Sequence, residues 1–307
     1  MTTSSWPALP LADWQDTCET LHMWTQIVGK TSLALAPMAN HWWQVTLHLT
    51  PRGLVTAPLP AATRVLAIEF DFLDRQLYLR VSDGETRTIP LQPQSVAEFY
   101  RKYTDALGSL GIAARIYPVP VEIPTAIPFA EDQTHAAYDA AAAERWWRVM
   151  LQSDQVLRRF ASRFQGKQSP VHFFWGSFDL AATRFSGRPA PRHQGGVPNC
   201  PDYVMIEAYS RECSSCGFWP GGGGFGEAAF YAYCYPEPEG YSTSPVLPAQ
   251  ARYDETLREF VLPYDAVRSA ADPAGALLAF CQSTYEAGAN GGGWDRAILD
   301  RPETTAA

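Results

Sequence analysis

Along this chain the apolar spacing changes from helical to alternating and back, and does so twice. That order of periods restricts the fold to the α+β class, with antiparallel β-sheets flanked by helices. A first helix is predicted from Asp13, a good N-cap, with Trp14, Cys18, Leu21, Trp24, Thr25 and Val28 at helical spacing and Gly29 as its stop. Residues 41–49 then alternate, placing His41, Trp43, Val45, Leu47 and Leu49 on one face of a strand. Further strands are predicted over 65–72, 77–81 and 86–91, the last two joined through Asp83-Gly84, a two-residue hairpin signal. Ser95 and Glu98 form a capping box for a helix carrying Val96, Phe99, Tyr103, Leu107 and Leu110, ended by Gly111. After the connector the pattern repeats: a long helix over about 139–164, strands over 171–185, 203–209 and 228–235, then helices over 264–270 and 273–287 with a Gly-rich bend at 288–293.

These patterns divide the chain into tails at 1–10 and 301–307, a first half at 11–115, a Pro-rich connector at 116–130 and a second half at 131–300, together one compact unit. Gly29-Lys30, His41-Trp42-Trp43 and Arg52-Gly53 are echoed by Gly166-Lys167, His172-Phe173-Phe174 and Ser186-Gly187. We therefore expect two similar helix–strands–helix halves around a shared pocket. At 307 residues the chain is long enough to bury a core without cross-links.

Composition narrows the function. Charged residues are 18%, below the usual ~25%, while 15 Phe, 14 Tyr and 10 Trp make the chain rich in aromatics. Disorder and fibrous repeats are excluded. The net charge of −8 lacks the basic footprint of a nucleic-acid binder, and Arg158, Arg159, Arg163 and Lys167 read as the solvated face of a helix. No apolar run approaches the ~20 residues of a membrane span, and the N-terminus has no signal-peptide pattern. The expectation is a cytoplasmic protein with reduced cysteines whose partner is a small-molecule ligand or substrate, not nucleic acid or a membrane.

Among short motifs, the G-x-S-x-G elbow, H-E-x-x-H, the Walker loop and the EF-hand loop are absent. The run 220–226 is Gly-rich but lacks the Lys-Ser/Thr of a phosphate loop; it reads as a flap or a close backbone approach bordered by Trp219 and Phe225. Cys213 and Cys216 make one knuckle-like pair, short of the four ligands of a structural zinc, so ordinary thiols are expected. An imidazole on an apolar face must satisfy two ring nitrogens. His41 and His172 therefore have specific partners in a core or open into a pocket. Asp179 lies amid aromatics, which raises a carboxyl's pKa, and Glu207 alternates with Tyr203, Met205 and Tyr209. The expected site has His41, His172, Glu207 and Asp179 in acid–base roles, walled by Trp43, Trp175, Tyr209, Trp219, Tyr231 and Tyr233. Two histidines and a carboxylate are also an open set for a divalent metal. His22 and His135 are secondary candidates, and His48 and His193 are expected to face solvent.

Several long strings carry a resemblance: Leu21-His22-Met23-Trp24 to Gly29-Lys30, Asn40-His41-Trp42-Trp43, Ser169 through Ala181, Glu207-Ala208-Tyr209-Ser210, Gly217 through Gly221, and Tyr235-Pro236-Glu237-Pro238. They are similar to a bacterial family of full-length proteins of about this size, catalogued only as a domain of unknown function. The resemblance covers about residues 8–300 and implies a single full-length unit; it transfers no catalytic residue. The leading expectation is an enzyme acting on a small organic molecule in an aromatic-lined pocket. The alternatives are a non-catalytic small-ligand-binding protein and a protein–protein interaction module using its Trp residues.

Overall fold

A computed structural model describes residues 5–302. The first half runs α1 (Gln15–Leu35), β1 (Leu47–Leu49), β2 (Gly53–Thr56), β3 (Leu59–Ala61), β4 (Arg64–Asp71), β5 (Gln76–Val81), β6 (Thr86–Pro90) and α2 (Val96–Ser109). The second runs α3 (Ala140–Ser162), β7 (His172–Phe174), β8 (Asp179–Pro189), α4 (Asp202–Ala208), β9 (Arg211–Trp219), β10 (Ala229–Tyr235), β11 (Arg252–Asp254), β12 (Glu259–Pro263), α5 (Tyr264–Arg268), α6 (Pro273–Gly291) and α7 (Arg296–Leu299). The fold is α+β. Its strands form one antiparallel sheet of twelve, in the order β11-β12-β10-β9-β8-β7-β1-β2-β4-β5-β6, with β3 on β4. Each half of the chain supplies one wing, and the wings join where Leu47 of β1 faces Phe173 of β7.

Local chemistry explains the elements that match the sequence pattern. Gly84, at φ +95°, supplies the left-handed position in the turn between β5 and β6. The Ser95 hydroxyl accepts from the Glu98 N–H at 3.2 Å and caps α2. α2 packs on α1 through stacked Trp24 and Phe99 rings, 4.6 Å apart, and through the hydroxyls of Thr31 and Tyr103, 2.6 Å apart. One buried apolar cluster runs from Trp6 to Leu299 through both wings. Among the described residues no helix is long and apolar enough to cross a membrane.

The two faces of the second wing are covered differently. Arg184, Ser214 and Cys234 share one face and Thr183, Ser215 and Tyr233 the other, because these residues pair directly across the β8–β9–β10 ladders. α3 and α6 cover the first face. There the buried Arg184 guanidinium lies over the rings of Phe160, Tyr285 and Phe164, at 3.5, 4.3 and 5.0 Å from their centroids. The second face carries no such helix layer and floors a cavity.

Several expectations are corrected. α1 passes through Gly29 to Leu35, because a Cβ at Gly29 would overlap the Trp175 indole; the glycine is a notch, not a stop. Residues 40–45 are helical turns with His41 and Trp42 left-handed (φ 55° and 62°), so only Leu47–Leu49 extends and the alternation from His41 is broken. Residues 203–209 fall in helix α4, not a strand. The run 171–185 is two strands separated by a turn at 175–178, with Phe178 left-handed. β2, β3, β9, β11 and β12 have no counterpart in the sequence reading. In the expected N-terminal tail Trp6 and Leu9 are buried, while residues 1–4 and 303–307 of the tails lie outside the described residues.

Candidate functional site

The cavity measures about 1290 Å³ and lies on the face of β8, β9, β10 and β12 turned away from α3 and α6, under α1, the connector and the segment around α4. Its floor is built from hydroxyls and small residues. Thr183 and Ser215 hydroxyls meet at 2.9 Å, as do those of Tyr209 and Tyr233. Tyr231 stacks beside Tyr233, with centroids 6.1 Å apart. Gly217 leaves the space that the Tyr231 phenol occupies, since a Cβ there would strike it.

The chemistry gathers around the turn at 175–178. Asp179 follows it, buried, and accepts hydrogen bonds from the hydroxyls of Ser177 and Tyr231. Burial raises its pKa to about 6, although both donors pull the other way. Glu122 sits against Gly176, where a Cβ would meet its carboxylate. It is accessible from the cavity yet enclosed by protein, and that enclosure, with the Asp179 charge, lifts it to about 7. Its segment is pinned: the Gln26 amide exchanges two hydrogen bonds with the Val121 backbone, at 2.9 and 2.8 Å. On the other side Glu122 N–H donates to Pro198 O at 2.8 Å. From β12, Glu259 is raised to about 8 by burial and by Asp179.

Two bases of α1 face the same turn. His22 Nε2 and the Gly176 carbonyl are 2.8 Å apart, and the imidazole stacks on Phe178 at 4.9 Å. Burial lowers its pKa to about 4, so it is neutral and its ring N–H donates to that carbonyl. Two turns further on, the Lys30 ammonium lies 5.4 Å from the centroid of Tyr117 and 5.8 Å from that of Trp175. Burial lowers it to about 8. Elsewhere on the cavity wall, His135 Nδ1 meets the fully buried Asp132 carboxylate at 2.7 Å.

Of the sequence-predicted residues, His41, Asp179, Trp43, Trp175, Tyr209, Trp219, Tyr231 and Tyr233 line the cavity; His172 and Glu207 do not. The expected partnership of His41, His172 and Glu207 is thus not assembled in one cavity. Trp43 contacts both imidazoles, at 5.3 Å from His41 and 6.2 Å from His172. His172 is buried against His48 and Phe174 with Nδ1 unpartnered, and burial takes it down to about 3. His41 is tied up: Nδ1 lies 2.9 Å from the Ala208 carbonyl, and Nε2 lies 2.8 Å from the Lys167 ammonium. The Glu207 carboxylate accepts from the backbone N–H of His41 at 3.2 Å. It braces the left-handed turn instead of facing the cavity.

Lys30, Glu122 and Glu259 were missed. Lys30 had a signal, since it follows His22 and Gln26 at four-residue steps on one helix face; Glu122 and Glu259, in an irregular connector and a strand not expected, had none. Cys213 and Cys216, three apart on β9, point to opposite faces. Among the described residues no group of three His, Cys, Asp or Glu side chains is placed to hold a metal ion.

A family model described as "Family of unknown function (DUF5996)" matches residues 6–301. No curated protein and no solved structure matches the chain.

Proposed function

The chain belongs to this family of unknown function, and we propose that it is an enzyme that moves a proton on a small organic molecule held in the cavity, with Asp179 as general base. One observation carries the reading: a buried carboxylate, fixed by Ser177 and Tyr231, borders the cavity with lone pairs to spare. A carboxyl raised to about 6 is ionised at neutral pH and basic enough to accept a proton in a transition state. Burial holds Tyr209 and Tyr233 above the ordinary phenol range, and one hydroxyl of this hydrogen-bonded pair keeps its proton to donate to charge developing on a substrate oxygen. Trp43 and Trp175 supply apolar wall for the rest of the molecule.

The test starts from a thermal-shift screen of small metabolites, followed by mass spectrometry for conversion of each ligand found. Asp179→Asn should keep the ligand-induced stabilisation and lose roughly 10²–10⁴-fold in turnover. In the wild type kcat/KM should rise as pH passes through about 6, where the base ionises. Wild-type turnover by Asp179→Asn would sink the proposal. The cavity size, at about 1290 Å³ larger than the ~300–1,000 Å³ of typical ligand sites, favours a second reading, non-catalytic binding of a bulky ligand, which would be recovered unchanged.

A further inference from the structure

We propose that Lys30 is a nucleophile that captures carbonyl compounds, its ε-amine forming an imine with an aldehyde or ketone bound in the cavity. The inference deepens the enzymatic reading and rests on it for the cavity as a small-molecule site.

The chain has only three lysines, and their surroundings differ. Lys102 pairs with Glu98 at 2.7 Å and with Gln94 at 2.8 Å. Lys167 donates to His41 at 2.8 Å. Lys30 is buried on the cavity wall between two aromatic rings, with no hydrogen-bond or ion-pair partner among the described residues. A desolvated ammonium without a counter-ion favours its neutral form, the form with a nucleophilic lone pair. Burial lowers its pKa to about 8, so a useful fraction is free amine near neutrality.

An unpaired lysine in a cavity could instead anchor an anion, but this cavity is built against anions. None of the chain's 21 arginines lines it, and Glu122, Asp179 and Glu259 do. The same acids suit imine formation. Lys30 packs over Trp175, Glu122 sits against Gly176 and Asp179 takes the Ser177 hydroxyl, so the amine and both acids contact the segment 175–179. Cys200 is within electrostatic reach of both Lys30 and Glu122.

In the step, the Lys30 lone pair attacks the carbonyl carbon. A C–N bond forms, the C=O π pair moves to oxygen, and that oxygen gains a proton as nitrogen loses one. The resulting carbinolamine hydroxyl takes a proton from the Glu122 carboxyl and leaves as water. The nitrogen lone pair closes the C=N bond, and loss of the second N–H proton returns Glu122 to its acid form. Amine plus carbonyl gives imine plus water, with no oxidant or reductant.

The full chain is incubated with benzaldehyde and sodium cyanoborohydride, which reduces an imine to a stable secondary amine, and the lysine peptides are mapped by mass spectrometry. We expect Lys30 to be labelled about tenfold faster than Lys102, though Lys102 is the more exposed. The Lys30 rate should climb with pH and level off above about 8. Lys30→Arg should abolish that label while circular dichroism stays native. Lys30 labelled no faster than Lys102 in the wild type overturns the proposal and needs no variant. The two readings fail separately: Asp179→Asn with wild-type turnover removes the base and leaves the Lys30 label, whereas an unlabelled Lys30 beside a normal Asp179 profile removes only the nucleophile.

Discussion

Asp179 holds its proton up to about pH 6 in the fold, but only to the ordinary 3.8 in the unfolded chain. As pH rises through that window the unfolded state releases a proton that the folded state keeps. Stability from this group therefore falls between about pH 4 and 6 and is level above. A shift of this size corresponds to about 3 kcal/mol. Asp179→Asn removes the pH dependence while weakening the acceptor of the Ser177 and Tyr231 hydroxyls. Relative to this variant, the wild type should lose about 2–3 kcal/mol of urea stability between pH 4 and pH 8. Parallel curves for the two proteins would mean that the carboxyl titrates normally. Asp179 was legible as a perturbed carboxyl because aromatics surround it in the sequence. His41 was read onto a strand face that does not exist for a local reason: it and Trp42 are consecutive left-handed residues, which reset which side each later side chain faces. Alternation assumes an extended backbone and fails wherever φ changes sign.

α1 shows how a single glycine can be read two ways. Gly29 has the chemistry of a C-terminal stop, yet the helix continues because Trp175 needs the space of its missing side chain. Gly29→Ala should cost about 1–3 kcal/mol by overpacking, shift the near-UV signal of Trp175 and slow the labelling of Lys30 beside it. A fully stable Gly29→Ala chain with unchanged spectrum would show that the indole has room to spare. By contrast α2 was legible to the residue, because its signal is a local hydrogen bond; Ser95→Ala should lose ~1 kcal/mol in thermal or urea unfolding. α4 and β9 were illegible for opposite reasons. α4 is too short for its period to be separated from alternation. β9 reads Cys-Ser-Ser-Cys-Gly at its centre because one buried face floors a cavity and the other packs under α3 and α6. Neither role calls for the β-branched or aromatic residues that mark a strand.

At the scale of the molecule, the Pro-rich segment does not act as a spacer. It is clamped to α1 by Gln26 and to the residues before α4 by Glu122 and Asn199, whose side-chain amide donates to Ile123 O at 2.8 Å, and it forms part of the cavity wall. The ladder between the wings is short, with Leu47 opposite Phe173, so side-chain packing must carry the coupling. Trp146 of α3 is at its centre. Its ring lies 6.1 Å from Trp14, 5.8 Å from Phe72 of the first wing, and 5.7 and 4.8 Å from Phe173 and Phe178 of the second. A single apolar cluster extending through both wings predicts one cooperative unfolding transition. Far-UV circular dichroism, which reports the whole sheet, and the enhanced labelling of Lys30 over Lys102, which reports the cavity, should therefore be lost together in urea. Trp146→Ala should move both midpoints down in step, by about 3–5 kcal/mol. Separate midpoints, or a Trp146→Ala chain in which the cavity opens while the sheet of the first wing stays folded, would mean that the wings are independent units and that the cavity belongs to the second alone.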